Sequence, residues 1–464
     1  MIWRQHISMA LDLLQVSPQG ISYICLGGFI VLFSLVSLLI KEKLYVNEVV
    51  LGTGFGIILG PCVTNIFAPR SWGFLNDTIT LEVMRIVLVI GLFAAGVELP
   101  RAYMRRHAKG LLVMVVPTMA FGWVVVAAVI HALFPKLDYI SALCIAACLT
   151  PTDPVTCAAI THGKFAHQHV REDIRHILLA EAAANDGLAY PFLAISIYLT
   201  IEASIQTAIG KWFLVGWLYQ VVFGTVLGAV LGFLFSKLMK KSHDQDFIDR
   251  KSYIIQYLAL SIFTMGVANT IGTDDLLAAF AAGCAISWDG HFHEQTRHDD
   301  FSSVIDCVLN CCCFIYIGAW LPFHAYNSPE YGITPWKLVL LVIAIMVLRR
   351  IPFLMVVYKF VPEIVCWREA LFSGHFGPMG VSAVFVSTLA LKHLPTPENP
   401  PVNQAQYLAT TIQPIVSFVV LGSIIVHGLS MPLFSVISRV ALSHDFVKQD
   451  FVEQDFAKQD IEQL

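Results

Sequence analysis

The sequence predicts an all-α polytopic membrane protein with about 13 transmembrane helices, and three observations carry that expectation. Hydrophobic residues make up 57% of the 464 positions and charged residues only 13%, with a mean hydropathy of +0.70, which is too apolar for a water-facing surface. Apolar stretches of about 20 residues, the length that crosses a bilayer as a helix, recur along the whole chain. Two of them, one in each half, are interrupted at their centres by proline and glycine. Interrupted spans in corresponding positions of two halves point to inverted repeats whose broken helices cross at the midplane, beside a binding site.

Taken in order, the spans are expected at residues 21–40, 46–60, 80–99, 111–134, 140–161, 174–201, 212–238, 253–271, 275–288, 302–321, 335–358, 369–391 and 411–437. The first two are almost free of charge. The third is apolar but carries Glu82, Arg85 and Glu98. The fourth is apolar throughout. The fifth contains CLTPTDPVTCAA, where Pro151 and Pro154 each remove a backbone donor and clash with the preceding turn, so the helix must open. The sixth holds AEAAANDGLAYPF, with Glu181, Asn185 and Asp186 inside it. The seventh and eighth are plain apolar spans. The ninth opens on Asp274 and Asp275, and the tenth contains Asp306. The eleventh runs through Arg349 and Arg350 as one span. The twelfth, LFSGHFGPMGVSAVF, is broken by Gly374, Gly377, Pro378 and Gly380 next to His375, and the thirteenth is apolar.

Lysine and arginine gather in the loops that follow the odd-numbered spans of this plan, from KEK through KLMKKSHDQDFIDRK to YKFVPEIVCWRE. The opposite set holds only Arg4, Arg70, Lys136, Lys211, Lys337 and Lys392. The basic side is normally cytoplasmic, which places the N-terminus outside and the C-terminus in the cytosol. The sequon Asn76-Asp77-Thr78 falls on the outer side of this plan. No cleavable signal peptide is expected, and residues 1–440 read as one transmembrane domain. Residues 441–464 read as a short cytosolic tail built on a five-residue repeat, DFVKQ, DFVEQ, DFAKQ, DIEQL.

A net charge of -4 without a basic block excludes nucleic acid as a partner; the natural surroundings are membrane lipid. The 11 cysteines sit mostly in apolar runs without zinc-ligand spacing. No soluble catalytic domain is present, and no cofactor motif.

Ionisable groups inside spans are costly and tend to face a cavity or a partner. At the break in the fifth span, unwound backbone leaves carbonyl oxygens free, and Thr150, Thr152 and Asp153 add more, a set suited to a hard cation. In the sixth span, positions i and i+5 differ by about 140 degrees around a helix, so Glu181 and Asp186 point to different places. Glu181 is the candidate for a buried ion pair with Arg349 or Arg350; Glu82 stands three residues before Arg85 and can hold it. Asp186, beside neutral Asn185, is the candidate for a carboxylate that takes either a proton or a cation. Such competition suffices for exchange.

The motifs LTPTDPV, AEAAANDGLAYPF, GTDDLLAAFAAG, RRIPF and SGHFGPMGVSA, in this order, resemble the fungal plasma-membrane Na+/H+ antiporters of the monovalent cation/proton antiporter superfamily, and the short tail resembles the fission-yeast type. The resemblance covers nearly the whole chain. It implies a homodimer, with dimerisation helices around residues 21–60 and 212–271 and a moving core around 80–200 and 302–391. It implies extrusion of Na+ and Li+ against inward H+ at the plasma membrane, with roles in salt tolerance and pH homeostasis. Asp186 and Asn185 match the family's Asn-Asp pair, Thr152 and Asp153 its broken-helix pair, and Glu181 with Arg350 its structural ion pair. On this basis Asp186, Asp153 and Thr152 are the Na+ ligands. Asp274, Asp275 and His375, with Arg349, stand as modulators of transport or of its pH response. Animal and plant relatives carry an arginine in the Gly-rich break where this chain has His375 and Phe376. Bacterial electrogenic members have Asp-Asp where this chain has Asn185-Asp186, so the pair here favours electroneutral exchange.

Three other readings remain open at this point. A K+/H+ exchanger would use the same residues, because selectivity depends on cavity size and ligand count. An intramembrane aspartyl protease needs two carboxylates meeting at a scissile bond, and Asp153 and Asp186 lie in a proline break and beside Asn185 without protease motifs. A non-transporting sensor of the same fold would be betrayed by an inert Asp186.

Overall fold

The computed structural model describes residues 17–44, 46–73, 76–161, 166, 170–296, 301–430 and 432–433. The N-terminal segment and the repeat of the 441–464 tail lie outside the described residues. Among the described residues the chain is helical, and its β-structure amounts to one isolated bridge, Ser328 to Ile333.

Helices occupy the segments the hydropathy pattern marks. They are α1 (Pro18–Leu38), α2 (Glu48–Leu59), α3 (Asn76–Glu98), α4 (Ala108–Leu133), α5 (Tyr139–Cys148), α6 (Pro154–Thr161), α7 (Glu172–Ile201) and α8 (Ile205–Asp244). They continue as α9 (Arg250–Ile271), α10 (Asp275–Ile286), α11 (Phe301–Trp320), α12 (Pro335–Leu348), α13 (Ile351–Val357), α14 (Trp367–His375), α15 (Val381–His393) and α16 (Gln404–Ser430). Among the described residues, seven stretches are long and apolar enough to cross a membrane by themselves: α1, α3, α4, α8, α9, α16 and the run Pro335–Phe360 that contains α12 and α13. Polar residues set the boundaries. Ser17, Asn47, Asp138 and Asp249 each accept a backbone N–H from the first turn of the helix they precede. At the other end of α9, Gly272 takes φ +83, a conformation that costs glycine little.

Several boundaries differ from expectation: α8 runs over Ile205–Asp244, beyond the expected 212–238, and two further departures have a local physical cause. The last helix begins at Gln404, ahead of residue 411, because Asn403 caps it: Gln406 N–H donates to Asn403 Oδ1 at 2.9 Å. The span expected to run unbroken over 335–358 is interrupted between α12 and α13, at Arg349 and Arg350. Pro352 cannot donate to the carbonyl of residue 348 and its ring crowds that turn, so the helix opens just before it. Pro117, by contrast, sits inside α4 without breaking it, and Thr118 Oγ1 supplies the missing donor to Val113 O at 3.0 Å.

Helices α3, α5–α7, α10, α15 and α16 form the interior, and α1 and α8 lie outside it. The most apolar stretch of α3 or α16 is 67% buried, against 17% for α1 or α8. Small residues allow close approach where α8 packs on α10. A methyl group on Gly228 would overlap Ala278 O, and one on Gly232 would overlap Ala282 O. Helices α2 and α11 meet in the same way through Gly56 and Gly318.

Candidate functional site

The two breaks touch at the centre of the protein. Between α5 and α6 the chain is extended through Pro151, Thr152 and Asp153; between α14 and α15 it is extended from Phe376 to Gly380. Asp153 N–H donates to Pro378 O at 2.9 Å, joining the two openings backbone to backbone. Gly380 makes this crossing possible, since a Cβ there would run into the Asp153 carboxylate.

Four half-helix ends meet here, and each kind is met by the opposite charge. Asp153 sits at the N-terminal ends of α6 and α15. Its Oδ1 accepts from Val155 N–H (3.3 Å), and its Oδ2 accepts from Val381 N–H (3.3 Å) and Thr156 Oγ1 (2.5 Å). A carboxylate at two positive helix ends is favourable twice over. Arg349 serves the opposite ends. Its Nη1 donates to Leu149 O (2.6 Å) and Pro151 O (3.3 Å), and its Nη2 to Gly377 O. Thr150, counted from the sequence among the oxygens of the break, donates its hydroxyl back to Ala146 O at 2.7 Å.

Arg350, one residue on, turns to α7 because the backbone is open there. It makes a two-pronged pair with Glu181, Nη1 to Oε1 at 2.5 Å and Nη2 to Oε2 at 2.9 Å, and Nη2 also donates to Ser373 O at 3.2 Å. Both side chains are buried.

On another face of α7, Asn185 and Thr152 exchange two hydrogen bonds. Thr152 N–H donates to Asn185 Oδ1 (2.9 Å) and Asn185 Nδ2 donates to Thr152 Oγ1 (2.7 Å). Asn185 is therefore a tether between α7 and the first break as well as a neutral neighbour. Asp186 is buried, and its Oδ2 accepts from Ser382 Oγ at 2.6 Å. Its Oδ1 has no hydrogen-bond donor among the described residues. Asp153 and Asp274 lie near enough for their charges to repel that of Asp186.

The acidic pair at the start of α10 divides. Asp274 caps the helix, its Oδ1 accepting from Leu277 N–H at 2.8 Å. Asp275 Oδ2 lies 3.0 Å from Arg85 Nε, and Arg85 Nη1 lies 2.6 Å from Glu82 Oε1, so one arginine bridges two acids of different helices. His375 stands at the end of α14, its Nε2 2.9 Å from Ser430 Oγ of α16.

The structure thus gathers Asp186, Asn185, Thr152, Asp153, Arg349, Glu181 and Arg350 around one crossing, with Asp274 and Asp275 at its edge and His375 behind the second break. Ser382 and Thr156 join this group without having been singled out from sequence. Both stand in the first turn of a half-helix after a break, which is the signal that would have found them.

A buried polar centre where two opened helices cross, inside an apolar helical shell, defines a polytopic membrane protein of the antiporter fold. The same fold is found in the sodium proton antiporter MjNhaP1 from Methanocaldococcus jannaschii, with a TM-score of 0.66 over 89% of this chain and 98% of that one, at 17% identity. The chain belongs to the sodium/hydrogen exchanger transmembrane family, whose profile matches residues 30–436. It is 43% identical over 443 residues to a probable Na(+)/H(+) antiporter of Schizosaccharomyces pombe and 40% identical over 446 residues to the Na(+)/H(+) antiporter of Saccharomyces cerevisiae. These alignments cover 93% and 94% of this chain, which spans 58% and 44% of those relatives' lengths. A second Na(+)/H(+) antiporter of Schizosaccharomyces pombe is 38% identical, over 92% of this chain and 91% of its own.

Proposed function

We propose that this protein exchanges Na+, and also Li+, for H+ across the membrane by alternating access, with Asp186 holding either the cation or the proton. The observation that carries the reading is the uncommitted Asp186 Oδ1. Among the carboxylates around the crossing, Asp153 accepts three hydrogen bonds, Glu181 is paired with Arg350 and Asp275 with Arg85, whereas one oxygen of Asp186 has no donor. A buried oxygen of that kind is costly unless a proton or a cation meets it. Asp153 lies near, and Thr152 is tied to the adjoining Asn185, so their oxygens are the ones proposed to join Asp186 around Na+, a hard ion that prefers such ligands.

Neutral Asn185 beside Asp186 supports an electroneutral, one-for-one exchange. The exposed faces of α1 and α8 support assembly of two copies through residues 21–60 and 212–271, with the buried helices of 80–200 and 302–391 moving as the core. The fungal relatives support a plasma-membrane location, and the distribution of basic loops supports an external N-terminus and a cytosolic C-terminus. The protein acts as a transporter and not as an enzyme.

The test is exchange in proteoliposomes with Na+, Li+ and K+ supplied separately, wild type against Asp186→Asn. Wild type is expected to exchange Na+ and Li+ for H+. Acidification raises its apparent KM for Na+ because proton and cation compete for one carboxylate. Asp186→Asn is expected to fold and to lose exchange. Normal exchange by that variant would place the carrier group elsewhere, and K+ exchange without Na+ exchange would reassign the substrate.

A further inference from the structure

We infer that Ser382 sets the ion preference of the crossing, because its hydroxyl fixes where the Asp186 carboxylate stands relative to Asp153. The start of α15 touches both carboxylates in succession. A Cβ on Gly380 would run into Asp153 Oδ2, and Val381 N–H donates to that same oxygen at 3.3 Å. The next residue turns to the other acid: Ser382 Oγ donates to Asp186 Oδ2 at 2.6 Å. Three consecutive residues of one half-helix thus fix the spacing of the two carboxylates proposed to meet the cation.

The proposed ligands are held unequally. Thr152 is fixed at its backbone and at its hydroxyl by the two hydrogen bonds with Asn185. The Asp153 carboxylate accepts from Val155, Thr156 and Val381, and its N–H donates to Pro378 O. Asp186 has a single polar contact among the described residues, the Ser382 hydroxyl. Ser382 is itself buried, so bulk water does not take over when the hydroxyl is removed. Its loss leaves Thr152 and Asp153 in place and frees the Asp186 carboxylate alone to turn about its side-chain torsions. A rigid cluster of oxygens favours the ion whose size matches it, whereas a cluster with one mobile carboxylate adapts to several. Ser382 is therefore a positioning residue that acts on the ion through Asp186. Its role rests on the reading of Asp186 given above.

The experiment measures exchange against concentration of Li+, Na+ and K+ in proteoliposomes at one pH. The proteins are wild type, Asp186→Asn, Ser382→Ala, Ser382→Thr, Ser382→Cys and Ser387→Ala. At a single pH, competition from the proton multiplies the KM of every ion by the same factor, so the ratio of maximal rate over KM between ions reports the oxygen spacing alone. Ser382→Ala is expected to narrow the ratio between the best and the poorest ion about tenfold. Ser382→Thr keeps a hydroxyl and is expected to restore the wild-type ion order. Ser387→Ala removes a hydroxyl of the same helix that reaches only Val384 O, and its ratios should match wild type. Wild-type ratios in Ser382→Ala would overturn the inference, as would a KM raised by one common factor for all three ions or a ratio lost equally in Ser382→Thr. Equal use of the three ions by wild type would leave Ser382 no preference to set and would overturn it too. Should Ser382→Ala fail to assemble, Ser382→Cys, similar in size and a weaker donor, decides alone. Absence of exchange by wild type, or full exchange by Asp186→Asn, would overturn the reading of Asp186 and this inference with it.

Discussion

Removing the Glu181 carboxylate leaves the Arg350 guanidinium charged at the centre of the protein, with Ser373 O as its remaining acceptor. Both side chains of the pair are almost fully buried, 6% and 1% exposed, and both prongs are in hydrogen-bond range. Breaking a buried pair of this kind from one side costs about 3–5 kcal/mol, because the surviving charge has lost its partner without regaining water. Glu181→Met and Arg350→Met are each expected to lose that much. The double variant, which leaves two apolar side chains of similar length facing each other, is expected to return to within about 2 kcal/mol of wild type. The assay is unfolding of the purified protein in mixed micelles, with fluorescence-detected size exclusion after heating as the independent readout. Asp186→Asn is the control. It is isosteric and strands no partner charge, so its stability should match wild type. Single variants that unfold like wild type, or a double variant whose loss equals the sum of the singles, would refute the argument that the pair acts as one structural unit.

Two further perturbations probe the crossing itself. Gly380→Ala is expected to cost about 1–3 kcal/mol and to slow exchange at least tenfold, because the added methyl must displace the Asp153 carboxylate. Gly54→Ala, where nothing lies within 4 Å of an added methyl, should leave exchange rates unchanged in the same assay. Arg349→Lys retains the charge and loses the planar fork, so one ammonium cannot reach Leu149 O and Gly377 O together. Its exchange rate is expected to fall about tenfold, with a stability loss of about 1–3 kcal/mol in the unfolding assay.

How far the sequence reveals this architecture depends on the range of the forces involved. Helix positions were legible because burial in lipid and the proline effect act locally; CLTPTDPV and SGHFGPMG announce their openings without reference to any partner. The angular argument on α7 was likewise local, and the structure directs Glu181 and Asp186 to different neighbours. The choice between Arg349 and Arg350 was not local. It depends on the opening before Pro352, which turns adjacent guanidiniums toward different helices, and the apolar run around it masked that opening. Ser423 and His427 stand four apart on α16, a spacing that places both on one face. What they bind is the backbone of the second break, and a backbone acceptor leaves no trace in residue types. Asp274 shows the converse. Its place at the head of a helix was readable, and its carboxylate is occupied as a cap.

The charges at the crossing are arranged so that one of them can change. Asp153 faces two positive helix ends and Arg349 the carbonyls of both openings, so these two offset the dipoles of the half-helices and also each other. Glu181 and Arg350 cancel within a single pair. At the edge, Arg85 is shared by Glu82 and Asp275, and Asp274 caps a helix; Asp186 has no fixed counterion in contact, one hydrogen bond from Ser382, and the nearby like charges of Asp153 and Asp274. Under the exchange proposed above, a proton or Na+ on Asp186 removes the charge of that carboxylate while the site passes its neighbours. With neither, it would carry a bare carboxylate through a medium where an unpaired ion costs several kcal/mol at the least. That penalty falls on the empty state and spares both loaded ones, which is the asymmetry an exchanger requires. In the proposed exchange, the fixed ion pairs set the background against which a single carboxylate couples two ions.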